Sequence, residues 1–178
     1  TRIADDFVPL DLGLINKVCL EGFYRNAGAN CGGTVPDKFT VTVYEDSNAL
    51  PGVLVGTSQT TIFAVGGDGN LFTHQLALTT PIGPIVNDGR TYWLEVSNNT
   101  VDINGADDGC DYFWLGAAFG QGNNYAMQDR GGGYGPEDAV APPSGSPDMH
   151  WCINLRSQAP PEPLRPCCQT RNRVEPRL

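Results

Sequence analysis

Eight residues, Thr91-Tyr92-Trp93-Leu94-Glu95-Val96-Ser97-Asn98, narrow the range of folds open to this chain more than any other stretch. Tyr92, Leu94 and Val96 fall on one side of an extended segment, and Trp93, Glu95 and Ser97 on the other. That period of two, carried by aromatic and β-branched residues, predicts a half-buried strand. Asn87-Asp88-Gly89 ahead of it predicts a turn, since Asn and Gly accept positive φ. The same alternation recurs at residues 38–46, where Phe39, Val41 and Val43 oppose Thr40, Thr42 and Tyr44. It returns at residues 71–79, where Phe72, His74, Leu76 and Leu78 share a side. Helical periodicity is found nowhere.

Further strands are expected at residues 2–9, 17–25, 53–65, 110–118, 123–129 and 148–155. Residues 110–118 and 123–129 would pair across Gly120-Gln121-Gly122. Leu50-Pro51-Gly52 suits a type II turn, with Gly at the positive-φ position. About nine strands separated by regular turns predict an all-β, antiparallel two-sheet β-sandwich, jelly-roll-like, over residues 1–156. Its inward faces would include Val41, Val43, Leu76, Leu78, Leu94 and Val96. A chain of 178 residues, 40% hydrophobic, has enough material for one such core.

Residues 157–178 differ in kind. They hold five prolines and no alternating apolar pattern, which excludes a central strand. A Pro-rich extended C-terminal tail is expected, one that contacts a neighbouring subunit or a groove on its own domain. Four Arg against two Glu make it +2, so the −9 of the whole chain leaves −11 on residues 1–156.

That acidic balance excludes a nucleic-acid footprint, and no apolar run is long enough for a membrane span. Six cysteines, an even number without zinc-ligand spacing, predict disulfides and a secreted chain, extracellular or at the cell surface. The absence of an initiating Met or a signal peptide fits a processed, exported protein. Cys19–Cys31 would staple consecutive elements, and Cys110 and Cys152 fall on neighbouring aromatic strands. Cys167 and Cys168, adjacent in the tail, would need partners elsewhere or in another chain, because a bridge between neighbours is strained. Asn98-Asn99-Thr100 is an acceptor sequence that predicts a glycan on Asn98.

Two binding motifs stand beside ordinary structural readings. Asp102, Asn104, Asp107, Asp108 and Asp111 gather oxygen ligands suited to Ca²⁺, although Ala106 and Phe113 occupy positions where an EF-hand loop has oxygens. The same residues also make a solvated turn. Trp93, Tyr112 and Trp114, with Tyr125 and Trp151, would form a platform for a sugar ring; the same rings also serve as core and cross-strand pairs. No cofactor other than calcium is suggested.

Neither GxSxG nor HExxH occurs. His150 beside Asp148 makes no triad, and Glu21, Glu45 and Glu95 have no spacing that marks a hydrolytic pair. The expectation is no enzyme.

Asp5-Asp6-Phe7, Val41-Thr42-Val43-Tyr44-Glu45-Asp46, Leu50-Pro51-Gly52, the stretch around Trp93 and Asp148-Met149-His150-Trp151-Cys152 together resemble uncharacterised secreted β-sandwich modules of bacterial surface and cell-wall proteins. The resemblance spans residues 3–155 and implies an exported, non-catalytic sandwich with no site residues assigned. The expected function is a structural subunit of an extracellular fibre or surface assembly. It would be a homopolymer joined when a terminal segment docks on a neighbour: residues 157–178, or the competing segment 2–8. The alternatives are a carbohydrate-binding module, with glycans bound rather than attached, and a secreted glycan-active enzyme.

Overall fold

The computed structural model describes residues 2–25, 37–62, 67–68, 71–99, 111–114, 126–129, 134, 139–140 and 151–156. The expected calcium ligands Asp102, Asn104, Asp107 and Asp108, the cysteines Cys31, Cys110, Cys167 and Cys168, and residues 157–178 lie outside them.

The described residues are all-β, with two antiparallel sheets and no helix. Eleven strands occur among the described residues: β1 (Arg2–Phe7), β2 (Gly13–Arg25), β3 (Asp37–Asp46), β4 (Pro51–Ile62), β5 (Gly67–Asp68), β6 (Leu71–Ile85), β7 (Tyr92–Asn99), β8 (Asp111–Trp114), β9 (Ala126–Asp129), β10 (Ala139–Val140) and β11 (Trp151–Arg156). One sheet has the order β10-β9-β1-β7-β3-β4, the other β11-β2-β6-β5, with β8 pairing the far end of β2.

Alternation selects the core. In the first sheet Phe7, Phe39, Val41, Val43, Tyr92, Leu94 and Val96 turn to one side. In the second, Ile15, Val18, Leu20, Leu76, Leu78, Ile82 and Ile85 do the same, and all fourteen belong to one buried cluster. All six positions expected to face inward are buried. Burying side chains of this size contributes roughly 1.5–3 kcal/mol each, which makes this cluster the dominant favourable term of the fold.

Several local expectations change. β7 is buried on both faces rather than one: every residue from Tyr92 to Val96 is at most 5% exposed. β2 begins four residues before the expected strand, because bulges near Ile15 and Lys17 let Ile15 rejoin the core. β6 runs on through Pro81 and Pro84 to Ile85. β9 does not pair with β8; it lies in the other sheet, against β1 and β10. β1 pairs with β7 along Ile3–Phe7 and with β9 along Arg2–Ala4, so most of segment 2–8 is engaged within its own sheet.

The turn expected at Leu50-Pro51-Gly52 sits earlier. Asn48 and Ala49 take positive φ, 57° and 63°. Ser47 N donates to Leu50 O at 2.8 Å and Ala49 N to Asp46 Oδ2 at 3.3 Å. This is a two-residue hairpin loop of the kind whose twist matches its strands. Pro51 and Gly52 already belong to β4. Gly52 is required for closeness instead: a Cβ there would stand 2.6 Å from Ser47 Cβ and 3.0 Å from Glu45 O. Gly52→Ala is expected to cost about 1–3 kcal/mol in urea unfolding; an unchanged midpoint would mean that the hairpin shifts without cost. Gly89, by contrast, has the positive φ of 85° expected of its turn.

Candidate functional site

Chemistry-bearing side chains concentrate on the face of the first sheet that points away from the common core. Antiparallel register sets Ala4 opposite Glu95, Asp6 opposite Trp93, Tyr44 opposite Trp93 and Thr42 opposite Glu95. Glu95 therefore lies midway between β1 and β3 on the central strand. It is 2% exposed, and Asp6, Thr42 and Trp93 are buried beside it. Tyr44, Leu50 and Tyr134 pack against Ala4 and Trp93 as a second, smaller apolar cluster.

Glu95 Oε2 accepts from Tyr134 Oη at 2.7 Å and from Tyr44 Oη at 3.1 Å, and lies 3.5 Å from a guanidinium nitrogen of Arg2. The Tyr134 ring stands edge-on to Tyr44, centroids 6.3 Å apart, and the Arg2 guanidinium sits 5.8 Å above it. Burial, and then the Glu95 carboxylate, push the Tyr134 phenol far above its ordinary pKa, so it remains a donor. Asp46 Oδ1 accepts from Trp93 Nε1 at 2.8 Å.

Chemically this arrangement is a clamp. A carboxylate held by two phenols and faced by a cation has its charge satisfied in place, and both phenol protons already point at it. It ties β1, β3 and β7 to Tyr134.

On the core side, Asp5 faces inward opposite Leu94 and is 1% exposed. Its Oδ2 accepts from Trp151 Nε1 at 2.6 Å, a bond from the second sheet to the first. Trp151 also meets Phe7 edge-on, centroids 5.5 Å apart. His74, opposite Leu20, is fully buried with its ring centroid 5.1 Å from that of Phe39, and burial lowers its pKa to about 4. Neither residue announces this role in sequence beyond its alternation.

The expected sugar platform loses Trp93, which is fully buried with its indole nitrogen bonded to Asp46. Trp151 is likewise packed against the core. The backbones of Tyr112 and Trp114 lie in β8, opposite Tyr24 and Gly22, while Tyr125 is outside the described residues. Asp111 opens β8 opposite Arg25. Among the described residues, no three His, Cys, Asp or Glu side chains gather to hold a metal.

Asn98 is half-buried near the end of β7, opposite Phe39, rather than in a turn. Glu45 is half-buried with Arg90 3.7 Å away, and Glu21 is half-buried on β2. Cys19 and Cys152 stand directly opposite each other on β2 and β11.

One end of the molecule carries exposed apolar side chains among the exposed polar residues Asp11, Asp46, Asn87, Asp88 and Arg90. Among the described residues the exposed large hydrophobics are Val8, Leu10, Leu12, Val53 and Leu54. The first three lie between β1 and β2. Phe7 pairs with Tyr92, Tyr92 with Glu45, and Tyr44 with Leu54, so the start of β4 is at that same end. Asn87 Nδ2 donates to Leu10 O at 2.6 Å, holding the connection in place. Arg156 lies opposite Leu14, so β11 also ends there. No family model, curated protein or solved structure matches the chain.

Proposed function

We propose that the chain is a non-catalytic structural subunit of an extracellular fibre or cell-surface assembly, its two sheets forming a jelly-roll-like sandwich that joins copies of itself. The observation that carries this reading is that end's exposed apolar side chains. Val8, Leu10, Leu12, Val53 and Leu54 are 43–69% exposed and share one end of the molecule. Exposed apolar side chains rimmed by polar ones, here Asp11, Asp46, Asp88 and Arg90, mark surfaces that a partner covers. The start of β4 adds a sheet edge beside them, a template for another strand. The occupant in this reading is a second copy, with Leu164 or Val174 of its tail as the apolar anchor and the tail arginines meeting the acidic body.

Export remains part of the proposal on the strength of the six cysteines and the acceptor sequence at Asn98. A sugar-binding role gains no observation here, because the ring at its centre, Trp93, is buried.

The test is assembly. Light scattering and negative-stain microscopy of the intact chain are expected to show particles well above the monomer mass. Leu10→Asp with Leu54→Asp is expected to return monomers of unchanged circular dichroism. A monodisperse intact monomer overturns the assembly reading; particles that persist in the double variant overturn the choice of surface. Deletion of 157–178 separates the donor from the acceptor, since only the loss of particles supports the tail.

A further inference from the structure

We infer that Cys19 and Cys152 form a disulfide that fastens the last described strand to the sheet, a cross-link independent of the assembly reading. β11 runs antiparallel to β2 with Trp151 opposite Leu20, Cys152 opposite Cys19 and Ile153 opposite Val18. Val18 and Leu20 belong to the core, and Trp151 and Ile153 pack against it. Alternation therefore places both cysteines on the opposite face of the sheet, side by side. Residues directly opposite in an antiparallel pair have Cα atoms roughly 4.5 or 5.5 Å apart, depending on whether the pair is hydrogen-bonded. Both separations lie within the range of about 4.4–6.8 Å that a disulfide spans.

The bond supplies what the strand order lacks. Among the described residues β11 is an edge of its sheet, with β2 as its paired strand. It carries Trp151, whose indole reaches Asp5 in the other sheet, and it precedes residues 157–178. Any pull on those residues loads an edge strand that hydrogen bonds alone would release one at a time. A bridge at Cys152, four residues before the end of β11, stops that peeling.

Formation requires an oxidant of the disulfide class, such as oxidised glutathione. Cys152 is half-buried and Cys19 is 1% exposed, so Cys152 reacts first. Its thiolate attacks one sulfur of the oxidant and expels one thiolate. The Cys19 thiolate then attacks the Cys152 sulfur of the mixed disulfide and expels the second. Two protein thiols lose two protons and two electrons, and one oxidant disulfide becomes two thiols.

Tryptic cleavage isolates the bond. Cys19 falls in peptide 18–25, Cys31 in 26–38, Cys110 in 91–130, Cys152 in 131–156 and the Cys167-Cys168 pair in 157–171. The full chain is equilibrated with oxidised and reduced glutathione, alkylated and digested without reductant. The expected product is 18–25 joined to 131–156. Peptide 18–25 joined to 26–38, or both cysteines alkylated, overturns the proposal. As a second readout, reduction is expected to lower the melting temperature of the wild type by about 10 °C, and to lower that of Cys152→Ser by much less. Equal shifts in the two proteins also overturn it.

Discussion

Glu95→Ala is expected to cost about 3–5 kcal/mol, the range for removing one partner from a buried charged network. The truncation removes the acceptor of both Tyr44 and Tyr134 and leaves their hydroxyls facing an apolar gap beside Trp93. Both phenols are half-buried, and abandoning each donor costs up to about 1–3 kcal/mol, so those two losses account for most of the total. The Arg2 pair contributes little, because Arg2 is 45% exposed at 3.5 Å and such pairs are worth about 0–1 kcal/mol. Arg2→Ala should therefore be mild, and Glu95→Gln, which keeps an acceptor for at least one phenol, intermediate. Urea unfolding of the three variants measures the order. A Glu95→Ala midpoint indistinguishable from wild type would show that the clamp holds nothing.

The second large effect is acid sensitivity through His74. Its folded pKa, about 4, lies below the ordinary value of 6.5 because burial disfavours the imidazolium. Between those values the unfolded chain binds a proton that the folded chain refuses. Stability from this group is thus fully present above about pH 6.5 and is lost as pH falls towards 4. The lowered pKa corresponds to roughly 3 kcal/mol. His74→Leu keeps an apolar body beside Phe39 and Leu20 and removes the titration. Denaturant melts from pH 7.5 to 4.5 are expected to show a steep loss in the wild type and a shallower one in the variant. Parallel curves would mean that the acid loss comes from the buried carboxylates and not from His74.

Both predictions concern residues whose alternation was legible while their consequence was not. In β7 the period of two correctly assigns Leu94 and Val96 to the core and Trp93 and Glu95 to the other face. It says nothing of what lies over that other face. The cover comes from Tyr134, 39 positions away, and from Arg2 near the start of the chain. Trp93 consequently reads as a sugar platform in sequence and is a buried anchor in the fold. The Asp5–Trp151 bond joins residues 146 positions apart, and no local pattern could foretell it.

Strand pairing divides in the same way. Residues 110–118 and 123–129 invite a hairpin because they are adjacent and separated by glycines. Yet β9 goes to β1, where Ile3 and Ala4 offer an edge beside the core, and β8 goes to β2. The Cys19–Cys152 opposition depends on the register of β11 on β2, which a shift of one residue would destroy. The sequence by itself determined where the main strands run, though not where they end, and which side of them faces the common core, because a period of two is written along a few consecutive residues. Only the tertiary structure decided which strands are neighbours, which outer face is covered and which end carries exposed apolar side chains. Those depend on contacts between distant segments, and their free energy exists only once the whole sheet has formed.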